Sequence, residues 1–410
     1  MEQTEVVVIG GGQAGLAMSR ALGERGVQHV VLERGRVGER WRSERWDSLR
    51  LLTPRWLSRL PGFAYRGPDA DGFMTRDEVV DFLAAYAASF GAPVEEGVAV
   101  TAVARDGEGF RVETGRGPWR AETVVIATGH CHQAAVPAWA EHLPAGVVQV
   151  VPNRYRNPGQ LPRGGVLVVG ASATGIQLAL EVHRSGRPVT LAVSRHVRAP
   201  RRYRGRDLLW WYDAAGIGED PTAQVADLEA VRRLPSLQLV GSPEHRDLDL
   251  GVLRAEGVRI VGRALGMEGG LLRLGGELAA HVAAADEWQA LLLARIDWWI
   301  AQAGISAPPP EPIHPVVLGP APASLDLAAE GIHTVLWATG FRRSYPWLRI
   351  PVLDARGEVR HQGGVTPVPG LYVLGLPFLR RRISSWLDGV GDDARDLAGR
   401  IATQHGRRAA

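Results

Sequence analysis

Several stretches of this sequence are apolar without interruption, and each stops at a glycine, an acid or a Thr-Gly pair. Val6–Ile9 stops at Gly10, Val30–Leu32 at Glu33, and Val166–Val169 at Gly170. Val124–Ala127 and Val335–Ala338 both run into Thr-Gly, and Leu371–Leu374 runs into Gly375. Strands covered on both faces read this way, whereas a half-exposed strand alternates. Alternation is found elsewhere. Val98–Ala104, Gly109–Glu113 and Trp119–Glu122 alternate around Asp106-Gly107 and predict a small antiparallel meander. A second hairpin is expected from Val258–Val261 and Gly270–Leu274. Helical spacing follows the first and the second glycine-ended strand. It recurs after Thr75-Arg76-Asp77-Glu78, which has the form of a capping box and opens a helix from Val79 to Phe90. Asp207–Tyr212 starts another helix. Ala285–Ala303 sets Trp288, Leu291, Leu292, Arg295, Trp298 and Trp299 at helical spacing, a stripe that suits a core or a domain interface. Ala307–Pro312 reads as a linker.

Two of the strand-to-helix joints carry chemistry. The first is Gly10-Gly11-Gly12-Gln13-Ala14-Gly15, a G-x-G-x-x-G turn. Gly10 permits the sharp turn, Gly12 leaves room for a pyrophosphate against the backbone, and Gly15 lets the helix pack closely on the sheet. A phosphate at a helix N-terminus meets unpaired N–H groups and a favourable dipole. Glu33 ends the next strand 23 residues after Gly10 (33 − 10 = 23), the spacing at which an acid takes ribose hydroxyls. The second joint, Gly170-Ala171-Ser172-Ala173-Thr174-Gly175, repeats the first with serine at the middle glycine. Gly10 and Gly170 are 160 apart, and so are Gly26 and Gly186. Repetition at one offset predicts two dinucleotide sites in an α/β chain built of two Rossmann-like units, each a three-layer sandwich, with small antiparallel meanders.

Composition narrows the class. With 410 residues and 45% apolar content, two or three domains with large cores are expected. The chain carries no lysine, and its formal charge is +3. The arginines from Arg195 to Arg206 lack the aromatic interleaving of a nucleic-acid surface, so no nucleic-acid partner is expected. Arg380-Arg381-Arg382 reads as a solvated or phosphate-facing run. No apolar run is long enough to span a membrane, and the acidic Met1–Glu5 start has no signal-peptide character, so a cytoplasmic location is expected. The single cysteine, Cys131, excludes a disulfide within the chain and a C-x-x-C pair. His130-Cys131-His132 lacks the partner ligands of a metal site, and no metal is expected. The segment Trp41–Trp56, rich in tryptophan and arginine, reads as a packed loop, either a lid on the core or one wall of a cofactor site.

Two G-x-[GS]-x-x-G turns, two Ala-Thr-Gly strand ends and a closing strand-to-helix unit together resemble the two-dinucleotide-binding flavoproteins. Within these the chain is most similar to the class B flavin monooxygenase group and its bacterial FAD/NADPH oxidoreductase relatives. Trp46–Pro54, Tyr155–Pro158, Tyr345–Leu348 and Gly370–Pro377 fall in the family's order. The resemblance implies an FAD domain in two pieces, 1–161 and 323–410, with an NADPH domain and its helical insertion at 162–322. It places Gly10, Gly12, Gln13, Ala14, Gly15, Glu33 and Arg34 around FAD, joined by Trp41, Arg42, Leu49, Thr53 and Val100. Thr128, Gly129 and Gly375 complete that set. Gly170, Ser172, Thr174, Gly175, Ser194, Arg195 and Arg198 would lie around NADPH, and Thr339 and Gly340 at the second Ala-Thr-Gly end join the cofactor-binding set. Position 193, the counterpart of Glu33 (33 + 160), is Val193, with Ser194, Arg195 and Arg198 beyond it. A hydroxyl and guanidinium groups there suit a 2′-phosphate, hence NADPH over NADH. Aligned on Tyr155, the family's F-x-G-x-x-x-H-x-x-x-[YF] fingerprint keeps only the tyrosine, and its histidine position holds Val151. That departure bears on oxygen transfer rather than on cofactor binding.

The function so implied is an NADPH-oxidising, FAD-dependent monooxygenase that acts on a small organic substrate with O₂ through a flavin hydroperoxide. No side chain is assigned as catalytic, because the flavin carries the redox chemistry. Two other readings fit the same residues: a non-oxygenating NADPH-dependent flavin oxidoreductase or oxidase, and a redox-sensing flavoprotein without turnover. Monomer and homodimer are both compatible with the sequence.

Overall fold

The uninterrupted apolar runs assemble into two sheets in a computed structural model that describes residues 1–409 apart from residue 233. In the first sheet the order is Val94–Glu96, His29–Glu33, Glu2–Ile9, Trp119–Ile126, Gly109–Thr114, Val100–Asp106. Trp119–Ile126 does two jobs. Its start closes the expected antiparallel meander against Gly109–Thr114, and along its length it lies parallel to Glu2–Ile9. Its far end also takes Leu371–Val373 as a parallel partner. The second sheet is wholly parallel, in the order Val148–Val150, Ile332–Trp337, Gly165–Val169, Val189–Ala192, Arg259–Val261. Helix Gln13–Gly23 follows the first turn and Ala173–Arg184 follows the second.

These pairings move the expected domain limits. Val148–Val150 and Ile332–Trp337 both belong to the second sheet, so divisions at 161/162 and 322/323 would cut through it. The chain leaves the first sheet after Ile126, builds the second between Val148 and Trp337, and returns with Leu371–Val373. Hydrogen-bond complementarity at long range decides this: Gly165 pairs with Ile332, a partnership with no local signal.

The two turns repeat in space as well as in sequence. Gly10 and Gly170 sit at φ 112° and 107°, a region that penalises any side chain. A Cβ on Gly15 would lie 1.8 Å from the Gly10 carbonyl oxygen, and one on Gly175 equally close to that of Gly170. Both helices therefore touch the turn backbone directly. The Ala-Thr-Gly ends also have a packing reason, since Gly10 lies against the Ala127 carbonyl and Gly170 against that of Ala338.

Other expectations shift by a face or a partner. The capping box forms as expected: Thr75 Oγ1 accepts from the Glu78 N–H, the Glu78 carboxylate accepts from the Thr75 N–H, and helix Arg76–Ser89 follows. Arg259–Val261 is a strand of the second sheet, and the second hairpin is Ala264–Glu268 with Leu271–Leu274. In helix Leu278–Ala303 the buried face is Ala285, Gln289, Leu292, Leu293, Ile296 and Ile300. Of the expected stripe, Leu292 is buried and Trp288 and Trp299 pack on the cluster that holds Ile296, while Leu291 and Trp298 point outward. The tryptophan-rich loop works as a clip. Trp46 and Leu49 insert into the core of the second sheet beside Tyr155 and Ile176, while Trp56 packs against a third cluster with Trp211 and Ile296. No helix among the described residues is long and apolar enough to cross a membrane.

Candidate dinucleotide cleft

A continuous cleft of about 1690 Å³ runs between the sheets and is lined by both turns. Helix Gln13–Gly23 starts at Gly12 and helix Ala173–Arg184 at Ser172. Neither start has a side-chain cap or an acid in its first turn. Two helix N-termini thus open into one space with their dipoles uncompensated, the condition under which a helix start holds an anion. Gly12 has nothing within 4 Å of where a Cβ would stand, so the gap beside it is real volume rather than packed core.

The first turn is organised from below by Glu33. Its Oε2 accepts the Gly11 N–H at 2.7 Å and its Oε1 the Gly35 N–H at 2.9 Å. Glu33 is nearly buried but still lines the cleft, and each carboxylate oxygen retains a second lone pair for a hydroxyl. The Gln13 side-chain amide donates to the Ser385 carbonyl at 3.3 Å, which ties this turn to the segment following the last strand. Gly375 ends that strand where a Cβ would stand 2.6 Å from the Ala14 side chain. Thr128 and Thr339, at the two Ala-Thr-Gly ends, repeat one feature: each Oγ1 is buried without a hydrogen-bond partner and each residue lines the cleft. A buried hydroxyl without a partner is costly unless a ligand completes it. Orphaned hydroxyls, uncapped helix starts and an open glycine fit a dinucleotide at each turn.

Most of the expected residues meet at this cleft. Gly10, Gly12, Gln13, Ala14, Glu33, Arg34, Trp41, Thr53, Val100, Thr128, Gly129 and Gly375 line it on one side. Gly170, Ser172, Thr174, Ser194, Arg195, Thr339 and Gly340 line it on the other. Gly15 and Gly175 sit behind the turns as packing positions. Three more of the expected residues do not line the cleft. Leu49 is buried in the second core and does not reach the cleft. Arg42 turns back to donate to the Val37 carbonyl at 3.1 Å. Arg198 is spent on structure: its buried guanidinium pairs with Asp286 at 2.6 Å and Asp249 at 2.9 Å and donates to the His314 carbonyl at 2.8 Å. Both acids are far away in sequence, so the arginine run gave no sign of this.

Arg195, in contrast, is exposed and has no acidic partner among the described residues. The register Ala192↔Val261 brings a second such group alongside it. Arg263, two residues past Val261, also lines the cleft and is also unpaired. No local motif marks Arg263; only the neighbouring strand does.

The His130-Cys131-His132 segment forms part of the wall, and no group of three metal-ligating side chains exists among the described residues. His132 Nε2 lies 3.1 Å from the Thr128 carbonyl, and its Nδ1 lies 3.0 Å from the Ser344 amide. The same Nδ1 lies 2.9 Å from the Ser344 carbonyl, so the ring is held between the Thr128 carbonyl and the backbone of Ser344. Burial, reinforced by Arg40, lowers its pKa and favours the neutral ring. Burial would raise the Cys131 thiol, but His130, with Arg45 and Arg40, outweighs it and brings it down to about 7.

A family model described as pyridine nucleotide-disulphide oxidoreductase matches residues 7–206. The chain is 35% identical over 397 residues to a CzcO-like oxidoreductase of Geobacillus kaustophilus, covering 96% of this chain and 97% of that one. It is 30% identical over 208 residues to the indole-3-pyruvate monooxygenase YUCCA1 of Oryza sativa, covering 48% of this chain and 50% of that one. Its fold is similar to the flavin-containing monooxygenase of Stenotrophomonas maltophilia, with TM-score 0.68, 22% identity, and 98% and 99% of the two chains covered. The chain belongs to the CzcO-like oxidoreductases.

Proposed function

We propose that the protein is an NADPH-driven, FAD-dependent monooxygenase that inserts one oxygen atom of O₂ into a small organic substrate. The observation that carries the proposal is the single cleft lined by both uncapped helix starts and both Ala-Thr-Gly ends. Bound flavin would supply the redox chemistry, the capacity to accept a hydride and to pass electrons to oxygen. The chain's own residues bind and orient. Gly12 and the amides of Gln13 and Ala14 would take the FAD pyrophosphate, with Glu33 on its ribose. Ser172 and the start of the second helix would take the pyrophosphate of NADPH, with Arg195 and Arg263 gripping its 2′-phosphate. A thiol-pair mechanism does not fit, since Cys131 is the one cysteine in the sequence.

A second reading, an oxidase that releases peroxide, draws support from one position. Val151 stands where the related fingerprint has histidine, and the adjoining Pro152 lines the cleft, so no imidazole is offered there. The deciding experiment follows NADPH consumption in air with candidate substrates, product mass and peroxide together. Product heavier by one oxygen atom supports the proposal; conversion of all consumed O₂ to peroxide with every substrate that stimulates turnover supports the second reading.

A further inference from the structure

The cleft has an end that neither turn accounts for. Leu209 and Tyr212 of helix Leu208–Ala214, Trp288 of helix Leu278–Ala303, and Phe378, Arg382 and Trp386 beyond the last strand line it there. Trp288 and Trp386 pack on the same buried cluster that contains Leu209 and Tyr212, so these aromatic rings share one neighbourhood. Arg382 is set apart from its neighbours in the arginine run. Arg380 pairs with Asp396 and donates to the Gly363 carbonyl. Arg381 holds Glu219 at 2.6 Å, Asp392 at 2.7 Å and Asp393 at 3.3 Å. Arg382 has no acid and no carbonyl partner among the described residues; its guanidinium carbon lies 5.1 Å over the Phe378 ring. Phe378 holds φ at 51°, a left-handed conformation uncommon for a bulky residue and a form of strain that concentrates at ligand sites. The surrounding segment is pinned. Ser384 Oγ accepts the N–H groups of Arg380 and Arg381 at 3.1 and 3.0 Å, and the Phe378 carbonyl accepts from Arg232 at 3.3 Å. A half-buried cation on a fixed aromatic ledge, without an anion of its own, asks for one from a ligand.

We propose that this end is the substrate site, and that its ligand is a small arylcarboxylate: the ring lies among Tyr212, Trp288 and Trp386, and the carboxylate pairs with the Arg382 guanidinium. A planar carboxylate meets the arginine fork in bidentate fashion, and flat apolar bodies suit a wall of two indoles and a phenol. The inference rests on the reading of the cleft as an FAD and NADPH site, but assigns a part of it that neither cofactor turn uses.

The test uses FAD-loaded protein and naphthaleneacetate against its neutral amide, with binding read by calorimetry and by the shift in flavin absorption. The wild type should bind the acid about ten- to a hundredfold more tightly than the amide. Arg382→Gln should erase that difference by weakening the acid alone, and Arg382→Lys should restore part of it. Equal binding of acid and amide by the wild type overturns the inference, as does failure to bind either while NADPH still reduces the flavin. If Arg382→Gln loses FAD or NADPH affinity and keeps the acid–amide difference, the guanidinium faces a cofactor phosphate and the inference is overturned. Because the acid–amide comparison is made on the wild type, it holds even if a variant fails to fold. Loss of NADPH-dependent flavin reduction in the wild type is a separate result, and it overturns the cofactor reading beneath.

Discussion

The second and third glycines of the first turn's motif, Gly12 and Gly15, should fail in opposite ways when substituted. Gly12 has φ −91° and ψ −172°, an extended conformation open to any residue, and nothing lies within 4 Å of its Cβ position. Gly12→Val should therefore leave the flavin-free protein folded, with stability changed by about 1 kcal/mol or less at this helix start. The new side chain fills the space a pyrophosphate would enter. Loss of two charge-assisted backbone contacts, each worth about 1.5–3 kcal/mol, amounts to roughly 3–6 kcal/mol, or about 10²- to 10⁴-fold in FAD affinity. Gly15→Ala is the converse. Its Cβ would stand 1.8 Å from the Gly10 oxygen, about half an ordinary contact distance. The helix must then move off the turn, a strain of about 1–3 kcal/mol or more that lowers the unfolding temperature of the flavin-free protein. Flavin fluorescence titration and thermal unfolding of the flavin-free variants separate the two effects. Wild-type FAD affinity in Gly12→Val would refute the placement of the cofactor, and an unchanged unfolding temperature in Gly15→Ala would refute the packing argument.

Other outcomes follow from charge. Arg195→Ala and Arg263→Ala should each raise the KM for NADPH about ten- to a hundredfold and leave that for NADH nearly unchanged, in steady-state assays with both cofactors. Arg198→Ala should instead leave the NADPH/NADH ratio alone and destabilise the fold by about 3–5 kcal/mol, since Asp249 and Asp286 would lose their buried partner; denaturant unfolding reads this. Glu181 supplies a pH dependence. Burial, with help from Asp47, raises its carboxyl from 4.5 to about 7, against the opposing hydrogen bond from Ser48. The folded state therefore binds the proton more tightly than the unfolded chain. The resulting stability, on the order of 3 kcal/mol, is complete below about pH 4.5 and lost as pH rises through about 7. Glu181→Gln should remove that loss, so unfolding midpoints of variant and wild type should diverge between about pH 4.5 and 7 in favour of the variant; curves that stay parallel across that window would contradict the assignment.

What could be read from sequence was local or periodic. The two turns, the capping box at Thr75 and Glu78, and the offset of 160 between Gly10 and Gly170 depend on residues within one strand-to-helix unit, where backbone sterics dictate residue type. The domain limits were not legible, because the apolar run Val335–Ala338 reads like those of the first sheet and only pairing with Gly165–Val169 assigns its strand to the second. Arg195 and Arg198 look alike in sequence. Their fates diverge because Asp249 and Asp286, brought in by helices Leu250–Glu256 and Leu278–Ala303, reach Arg198 and not Arg195. Arg263 had no local signal, and Arg382 could not be told from Arg380 and Arg381 in its run, because what marks both is the lack of an acidic partner among the described residues. The tryptophan stripe was legible in part: Leu292, Trp288 and Trp299 pack on a core cluster, whereas Leu291 and Trp298 fall outside the buried face, which hydrophobicity alone does not reveal.

The central claim is that one cleft holds both cofactors so that hydride passes between them. Its most direct test is anaerobic mixing of the FAD-loaded protein with NADPH while the flavin absorption is followed. Our account requires the yellow colour to bleach with one NADPH consumed per flavin, and to bleach more slowly at limiting NADPH when Arg195 is replaced by alanine. Flavin that stays oxidised under saturating NADPH would contradict it.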